Sequence, residues 1–490
     1  MLYDFKNINS KKVFFNKFKS AKFDYVIIGT GPAGYVLSSE LQQRFKQKKI
    51  LVLERGNLQK KIPEKINTKY SSIKKGSRVF SLGGAANVWA GISSYLENFE
   101  MKDRWHENKN LWPLGYKELK KNYKNLDKKY GFYFDYQENI IEKPKKNDLY
   151  RRRFFAKKNP FRFNKLDNYK NVELALNAKV EFIDEGKNQN YIYIADEKII
   201  ICSKKILVCC GGIESTKLLL RSLQNLKLRR LKNKKIVGSF FMDHPKTSLG
   251  KIKFPDKKKI NNIVIKKIRN HYTYVGLSLN PEVQKNKKLL NSYIRFEKFF
   301  FNDSMHILKT NIKRCQKNIL NVFAFAEIFS HIFYLGLYLF LKLFKKEYFL
   351  ETYIINLYTE MLPRYDNKIE LNYKNKKEIV KINYKMSKKE TNTINLLKTE
   401  VLKNFSKNFK LENKKIIKDY SVKYNFTDSS HHMGGTIYSS NKKLRIVDKN
   451  LKINGVKNIY ICSSSIFPTS GSVNPTMTIC ALALRLSKVI

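Results

Sequence analysis

The chain has 490 residues, of which 42% are hydrophobic and 13% aromatic; that excludes a disordered protein and exceeds one ordinary compact core, so two domains are expected. Lys and Arg number 97 against 41 Asp and Glu, a formal charge of +56, which favours anionic surfaces, although heavy use of Lys, Asn, Ile, Phe and Tyr also fits a coding bias. The lysines are spread along the chain without an aromatic-interleaved basic patch, so no nucleic-acid partner is expected.

Residues 1–20 read as a polar lead-in with no continuous apolar run, which predicts no secretory signal. The six cysteines, Cys202, Cys209, Cys210, Cys315, Cys462 and Cys480, form no CxxC pair. They read as free, reduced thiols of a cytoplasmic protein. Residues 23–28 form an apolar strand, a glycine-rich turn follows, a helical pattern runs through Leu41 and Phe45, and a second strand covers 50–53.

The turn is Gly29-Thr30-Gly31-Pro32-Ala33-Gly34. Gly29 permits the tight turn, Gly31 lets backbone approach a pyrophosphate, and Gly34 lets the helix pack on the strand. The helix start offers unpaired N–H groups to the phosphates. Glu54 ends the second strand, where an acid grips a ribose hydroxyl pair. Strand, turn, helix and acid together predict dinucleotide binding. The motif does not separate FAD from NAD, though Glu54 followed by Arg55-Gly56 leans toward FAD.

Residues 58–78 read as a basic loop. The small-residue run from Gly83 and Gly84 through Asn87 and Val88 to Gly91 suits backbone lying against a flat ring, with Asn87 as a polar contact. Residues 100–170 show no clear period. Strands are expected at 180–183, 191–195, 199–201 and 206–210, with a helix from Glu214 through Leu220. Farther on, 272–279 and 368–373 read as strands and 392–405 as a helix.

Residues 319–344 are nearly continuous in Leu, Ile, Phe, Tyr and Ala, broken by Glu327, Ser330 and His331 and flanked by Lys313, Arg314, Lys345 and Lys346. Three readings stay open: a helix buried in the second domain, a membrane-surface helix or hairpin with basic flanks on acidic headgroups, and a transmembrane span. A central Glu and His weigh against the last.

Near the end stand His431-His432-Met433-Gly434-Gly435-Thr436 and a run from Phe467 to Thr476. Adjacent histidines point in different directions, so no metal site is expected. Asn474 at an N-cap and Pro475 at the first helical position would start a buried helix, whose N-terminus calls for an electronegative neighbour such as a flavin carbonyl edge.

These motifs in this order resemble the glucose–methanol–choline (GMC) family of FAD oxidoreductases. The glycine turn, the Gly83–Gly91 run, Cys210-Gly211-Gly212-Ile213-Glu214-Ser215, Phe241-Met242-Asp243-His244-Pro245, the His431 block, Val447-Asp448 through Gly455-Val456, Asn458-Ile459-Tyr460 and the C-terminal run carry the likeness. It covers most of 23–245 and 428–490 and is thin across 246–420. The resemblance implies an α/β fold: a discontinuous Rossmann-like FAD-binding domain from 20–100, 170–245 and 428–490, and an α+β substrate-binding domain from 101–169 and 246–427, which carries the hydrophobic segment at 319–344.

It implies further that His431 and Asn474 face the reactive edge of the flavin. Val88 stands where some members carry a histidine covalently bound to the flavin, so FAD is expected to be non-covalent. Ser463, Pro475 and Thr476 would contact the flavin, and Val180 would lie near the adenine. The expected reaction is oxidation of an alcohol carbon by hydride transfer to flavin N5, with His431 as general base, His432 as the alternative, and Asn474 holding the substrate oxygen. His244 reads as structural, at the junction between domains. A sugar or glycan hydroxyl is the leading substrate, with a dehydrogenase favoured over an oxidase and the external electron acceptor open. A lipid-linked alcohol at an anionic membrane surface, with the protein peripheral on the membrane, is the second reading. A non-catalytic flavin-binding or scaffold protein is the third.

Overall fold

Strand Ile50–Leu53 is buried throughout and strand Lys22–Ile28 is buried from Tyr25 onward, the pattern of strands covered on both faces. They form the parallel centre of a sheet ordered Leu2–Asp4, Val172–Leu176, Ile50–Leu53, Lys22–Ile28, Ile199–Val208, Asn190–Ile194, Val180–Glu185. Strand Ile459–Ile461 adds in parallel to Ile199–Val208. The register pairs Ile28 with Leu53 and with Val208, and Val208 with Ile461. Gly29, Glu54, Cys209 and Cys462 therefore leave the sheet at one level, along a single carboxyl edge, which is where ligands bind in sheets of this kind. The computed structural model describes residues 2–18, 22–59, 66–67, 72–73, 76–102, 112–140, 150–157, 171–194, 199–252, 266–268, 271–315, 322–344, 346–375, 377–406 and 426–490.

A second sheet is antiparallel and ordered Lys246–Ile252, Tyr353–Tyr358, Tyr293–Lys298, His271–Leu279, Tyr150–Lys157, Ile92–Ser93. Helix Lys388–Ser406 covers it, with Ile394 and Leu397 packed among Leu277, Phe296 and Ile355. The architecture is the α/β one expected: a Rossmann-like domain beside an α+β domain.

Four differences have physical causes. The lead-in is structured: Leu2–Asp4 joins the edge of the first sheet and helix Ile8–Phe18 folds back on it. Tyr3, Phe14 and Phe18 pack as an aromatic cluster, a core signal diluted by polar neighbours. Ile92–Ser93 pairs with the second sheet rather than the first. Within 100–170, helix Tyr116–Tyr130 buries Leu119, Asn122, Tyr123 and Leu126, a stripe at helical spacing hidden among lysines. Finally, the hydrophobic segment is not a core helix. Of its described part, helix Val322–Leu343 buries only Leu335 and Tyr338 between residues 326 and 343; residues 319–321 lie outside the described residues.

Candidate active site

The first end of the site is the turn after Lys22–Ile28. Gly29 has φ +100°, and a Cβ there would sit 2.7 Å from the carbonyl oxygen of Cys209. A Cβ on Gly34 would sit 2.0 Å from the carbonyl oxygen of Gly29, so glycine is required where helix Pro32–Arg44 crosses the strand. At Gly31, the N-cap, a Cβ meets nothing within 4 Å. That space opens into a cleft of ≈ 1310 Å³, counted to its open mouth and lined by Gly29–Ala33, Glu54, Gly84, Val180, Ser463, Pro475 and Thr476 among others. The empty space beside Gly31, at an uncapped helix start, fits a pyrophosphate.

Thr30 organises this end. Its N–H and hydroxyl donate to Glu54 Oε2 at 3.1 and 2.6 Å, and its hydroxyl accepts the N–H of Gly83 at 2.9 Å. Glu54 also accepts the N–H of Gly56 at 2.9 Å. Burial raises the Glu54 carboxyl above its ordinary range, against these donors.

The other end is built by the C-terminal helix Thr476–Val489, apolar and buried along most of its length. Pro475, not Asn474, is its N-cap, and no side chain caps it. That corrects the expected start by one residue. It leaves the helix N-terminus, with its unpaired N–H groups and partial positive charge, at the cleft wall formed by Pro475 and Thr476. An electronegative ring edge satisfies such an end. The residues present thus fit a dinucleotide at one end and a flat, electron-accepting ring at the other.

Asn474 does not cap the helix, and its Nδ2 donates to His431 Nε2 at 2.8 Å. Asn474 Oδ1 is buried without a partner among the described residues. His431 Nδ1 lies 3.0 Å from His244 Nδ1, and His244 Nε2 lies 2.9 Å from the carbonyl oxygen of Gly471. A carbonyl only accepts, so His244 carries its proton on Nε2. With both rings neutral, His244 Nδ1 accepts from His431 Nδ1–H, and His431 Nε2 holds a lone pair. The chain of bonds sets a tautomer able to take a proton at Nε2.

His432 turns the other way. Its Nε2 is 3.1 Å from Asp428 Oδ1, and its ring stacks on Phe241. Asp243 Oδ1 and Oδ2 accept the N–H groups of His431 and Ser429, both at 3.1 Å. Burial, and then the neighbouring Asp428, push the Asp243 carboxyl up to about 7. His432 is buried, which disfavours its charge, but Asp428 raises its pKa overall. The ligand atoms of Asp243, Asp428 and His432 lie within 4.8 Å of one another. The Asp243 oxygens already hold backbone donors and His432 faces Asp428, so the cluster is internally satisfied.

The loop carrying Asn474 is fixed by Glu100 and by side chains and backbone of the second domain. Glu100 Oε1 accepts from Ser472 N at 2.8 Å and from Asn291 Nδ2 at 2.8 Å. Trp112 Nε1 donates to Thr469 Oγ1 at 2.7 Å, and Ser470 Oγ donates to the carbonyl of Met361 at 3.0 Å.

Of the residues expected at the site, Gly29, Gly31, Glu54, Gly84, Val180, Ser463, Pro475 and Thr476 line the cleft. Gly34 sits behind the turn. Asn87 spends its amide on Leu82 O and Ser81 Oγ, at 2.6 and 3.0 Å, steadying its own loop, and Val88 is half exposed; neither lines the cleft. The Val180 carbonyl accepts from Arg221 at 3.3 Å. His431 and Asn474 are not among the residues that line the cleft, although they are next in sequence to the lining residues Ser430, His432 and Pro475. The sequence missed Thr30, Arg55, Arg78 and Arg221, all of which line the cleft. Glu214 gathers Arg78, Lys217 and Arg55 at 2.5, 3.2 and 3.4 Å. Burial alone would raise its carboxyl, but these cations hold it at about 2. It also missed the reach of His244 to His431.

A Rossmann-like cradle with a histidine–amide pair flanking the residues that line its cleft is an arrangement suited to nucleotide-cofactor oxidoreductase chemistry. Residues 363–483 match the GMC oxidoreductase family model, and over this stretch the chain is similar to that family of flavoproteins. A segment of 65 residues is 35% identical to the fructose dehydrogenase large subunit of Gluconobacter japonicus. That segment is 13% of this chain and spans only 12% of the relative's length. The fold is similar to the crystal structure of pyridoxine 4-oxidase from Mesorbium loti, with TM-score 0.56, 11% identity, and 96% and 99% of the two chains covered.

Proposed function

We propose that the protein binds FAD non-covalently and oxidises an alcohol carbon, with His431 as the general base. The observation that carries this reading is the 2.8 Å contact between His431 Nε2 and Asn474 Nδ2, on residues adjacent in sequence to those that line the cleft. Gly29–Ala33, Glu54, Val180, Ser463 and the start of helix Thr476–Val489 would hold the cofactor. Bound FAD supplies the hydride acceptor, at N5 of its ring. His431 Nε2 takes the hydroxyl proton of the substrate. Asn474 Nδ2 moves from the imidazole to the substrate oxygen and stabilises the negative charge that grows there. Val88 cannot form a covalent link to a flavin.

The substrate class proposed is a sugar or glycan hydroxyl, and the enzyme a dehydrogenase. The segment similar to a fructose dehydrogenase subunit supports both. A lipid-linked alcohol is the second reading, favoured by the exposed apolar helix Val322–Leu343. Anaerobic mixing of the yellow protein with a panel of sugars and alcohols tests the proposal by loss of flavin absorbance. His431→Ala should retain FAD and lose most substrate-driven bleaching. Bleaching at the parental rate would remove His431 from the role of base.

A further inference from the structure

Helices Phe300–Cys315 and Val322–Leu343 form a hairpin inserted between strands Tyr293–Lys298 and Tyr353–Tyr358. Those strands are direct neighbours, with Lys298 paired to Tyr353. The chain thus leaves the second domain and returns to the same point. Phe299 N donates to Thr352 O at 2.7 Å, and Tyr338 donates to Glu351 at 3.1 Å, which closes the base.

The second helix is amphipathic with its apolar side outward. Phe329, Ile332, Phe333, Leu339, Phe340 and Leu343 are exposed, Phe329 by 79% and Leu343 by 80%. Their spacing of three, four, ten, eleven and fourteen residues from Phe329 puts all six on one stripe of a helix of 3.6 residues per turn. No charged residue falls on that stripe. Glu327 lies off it, where it accepts from Asn311 of the neighbouring helix at 2.6 Å. Leu335 and Tyr338 supply the buried side. A stripe of exposed aromatic and aliphatic side chains of this length, broken at Gly336, marks a contact surface.

The charge around the stripe selects the occupant. From residue 309 to 346 the sequence has Lys309, Lys313, Arg314, Lys317, Lys342, Lys345 and Lys346 against Glu327 alone. A second copy would bring the same positive charge to the same face, on a chain already at +56, and would be repelled. An anionic lipid headgroup layer matches both the charge and the apolar stripe. The helix is long and apolar enough by composition to cross a membrane. Yet the companion helix carries Asp303, Lys309, Lys313 and Arg314, so the returning half of the hairpin cannot span hydrocarbon.

We propose that this hairpin is a monotopic membrane anchor that lays the stripe from Phe329 to Leu343 into one leaflet of an anionic bilayer. The proposal is independent of the redox reading, because its readout is lipid binding without substrate. The test is flotation of the full-length protein with vesicles of pure phosphatidylcholine or of phosphatidylcholine with phosphatidylglycerol. It uses the parent, the triple variant Phe329→Ser/Phe333→Ser/Phe340→Ser, and the charge variant Lys342→Ser/Lys346→Ser. These side chains are exposed, and circular dichroism melting checks that the variants fold as the parent does. The parent should float with phosphatidylglycerol vesicles, the triple variant should bind at least tenfold more weakly, and the charge variant severalfold more weakly, with loss rising with salt. Absence of flotation, or equal flotation of parent and triple variant, overturns the proposal. A parent dimer in sedimentation that the triple variant dissociates also overturns it, by making the stripe an interface between copies.

Discussion

His244 Nδ1 stands 3.0 Å from His431 Nδ1, while the opposite nitrogen of His244 is tied to the Gly471 carbonyl at 2.9 Å. The protein thus contacts the imidazole of His431 on both nitrogens, with Asn474 on the far side. If His431 is the base, His244 sets which of its nitrogens carries the proton. His244→Phe removes the acceptor for Nδ1–H, and the population of the productive tautomer falls. Flavin reduction under single-turnover conditions should slow by on the order of 10²-fold, the scale of a general base, with FAD content unchanged. His244→Gln, which keeps an acceptor, should recover part of the rate. A purely structural histidine would lower the melting temperature of both variants and show no rescue in rate.

Asn474 separates from His431 as a second target. Its Nδ2 is a neutral donor placed where negative charge would develop, and removal of one such donor costs roughly 10²- to 10³-fold in kcat. Asn474→Ala should show this loss in kcat with little change in KM, because the interaction strengthens only as the proton leaves. An equal loss in substrate affinity alone would place Asn474 in ground-state binding instead.

The carboxyl edge of the first sheet was legible in the sequence because short-range chemistry writes it. Gly29 and Gly34 are each demanded by a contact within a few residues or one strand away, Gly31 faces open space at the helix start, and Glu54 closes the unit. Ser463, Pro475 and Thr476 were legible only through resemblance, since nothing local says that the last helix reaches the first turn. His244 was read as structural because its meaning lies in a contact 187 residues away. The helix start at Asn474-Pro475 was misplaced by one residue for a related reason: the Asn side chain turns its Nδ2 to His431 and brings its Oδ1 to no backbone N–H of its own helix. The aromatic cluster of Tyr3, Phe14 and Phe18 was missed because a three-residue strand leaves no period to detect. For Val322–Leu343, composition could not tell a helix that hides its apolar side from one that displays it; only the partner helix, whose Phe300 stacks on Tyr338, decides.

Acid stability should depend on Glu214. Arg78, Lys217 and Arg55 hold its carboxyl at about 2, from an ordinary value of 4.5. A group with a depressed folded pKa contributes stability above its unfolded value and loses it as pH falls through the folded one. That contribution, on the order of 3 kcal/mol from the size of the shift, should disappear between about pH 4.5 and 2. Glu214→Gln should lower the melting temperature at pH 7 and flatten its dependence on pH below 5. An unchanged acid limb, followed by circular dichroism melting, would show that the cluster adds no net stability.

The cluster of Asp243, Asp428 and His432 works with the opposite sign. Burial and Asp428 raise Asp243 from 3.8 to about 7, and Asp428 raises His432 above 6.5. Both groups bind protons more tightly folded than unfolded, so both contribute stability that is lost as pH rises: Asp243 from about 4 to about 7, His432 from 6.5 upward through its raised value. Melting temperature should therefore decline between pH 5 and pH 8. Asp243→Asn cannot take up that proton, and it leaves one of the N–H groups of Ser429 and His431 without its carboxylate acceptor. The variant should melt lower at pH 5, where an unmade buried hydrogen bond costs about 1–3 kcal/mol. Its decline toward pH 8 should be shallower than that of the parent. Parallel curves for parent and variant across that range would mean that Asp243 is ionised throughout, and that the proton of the cluster resides on His432.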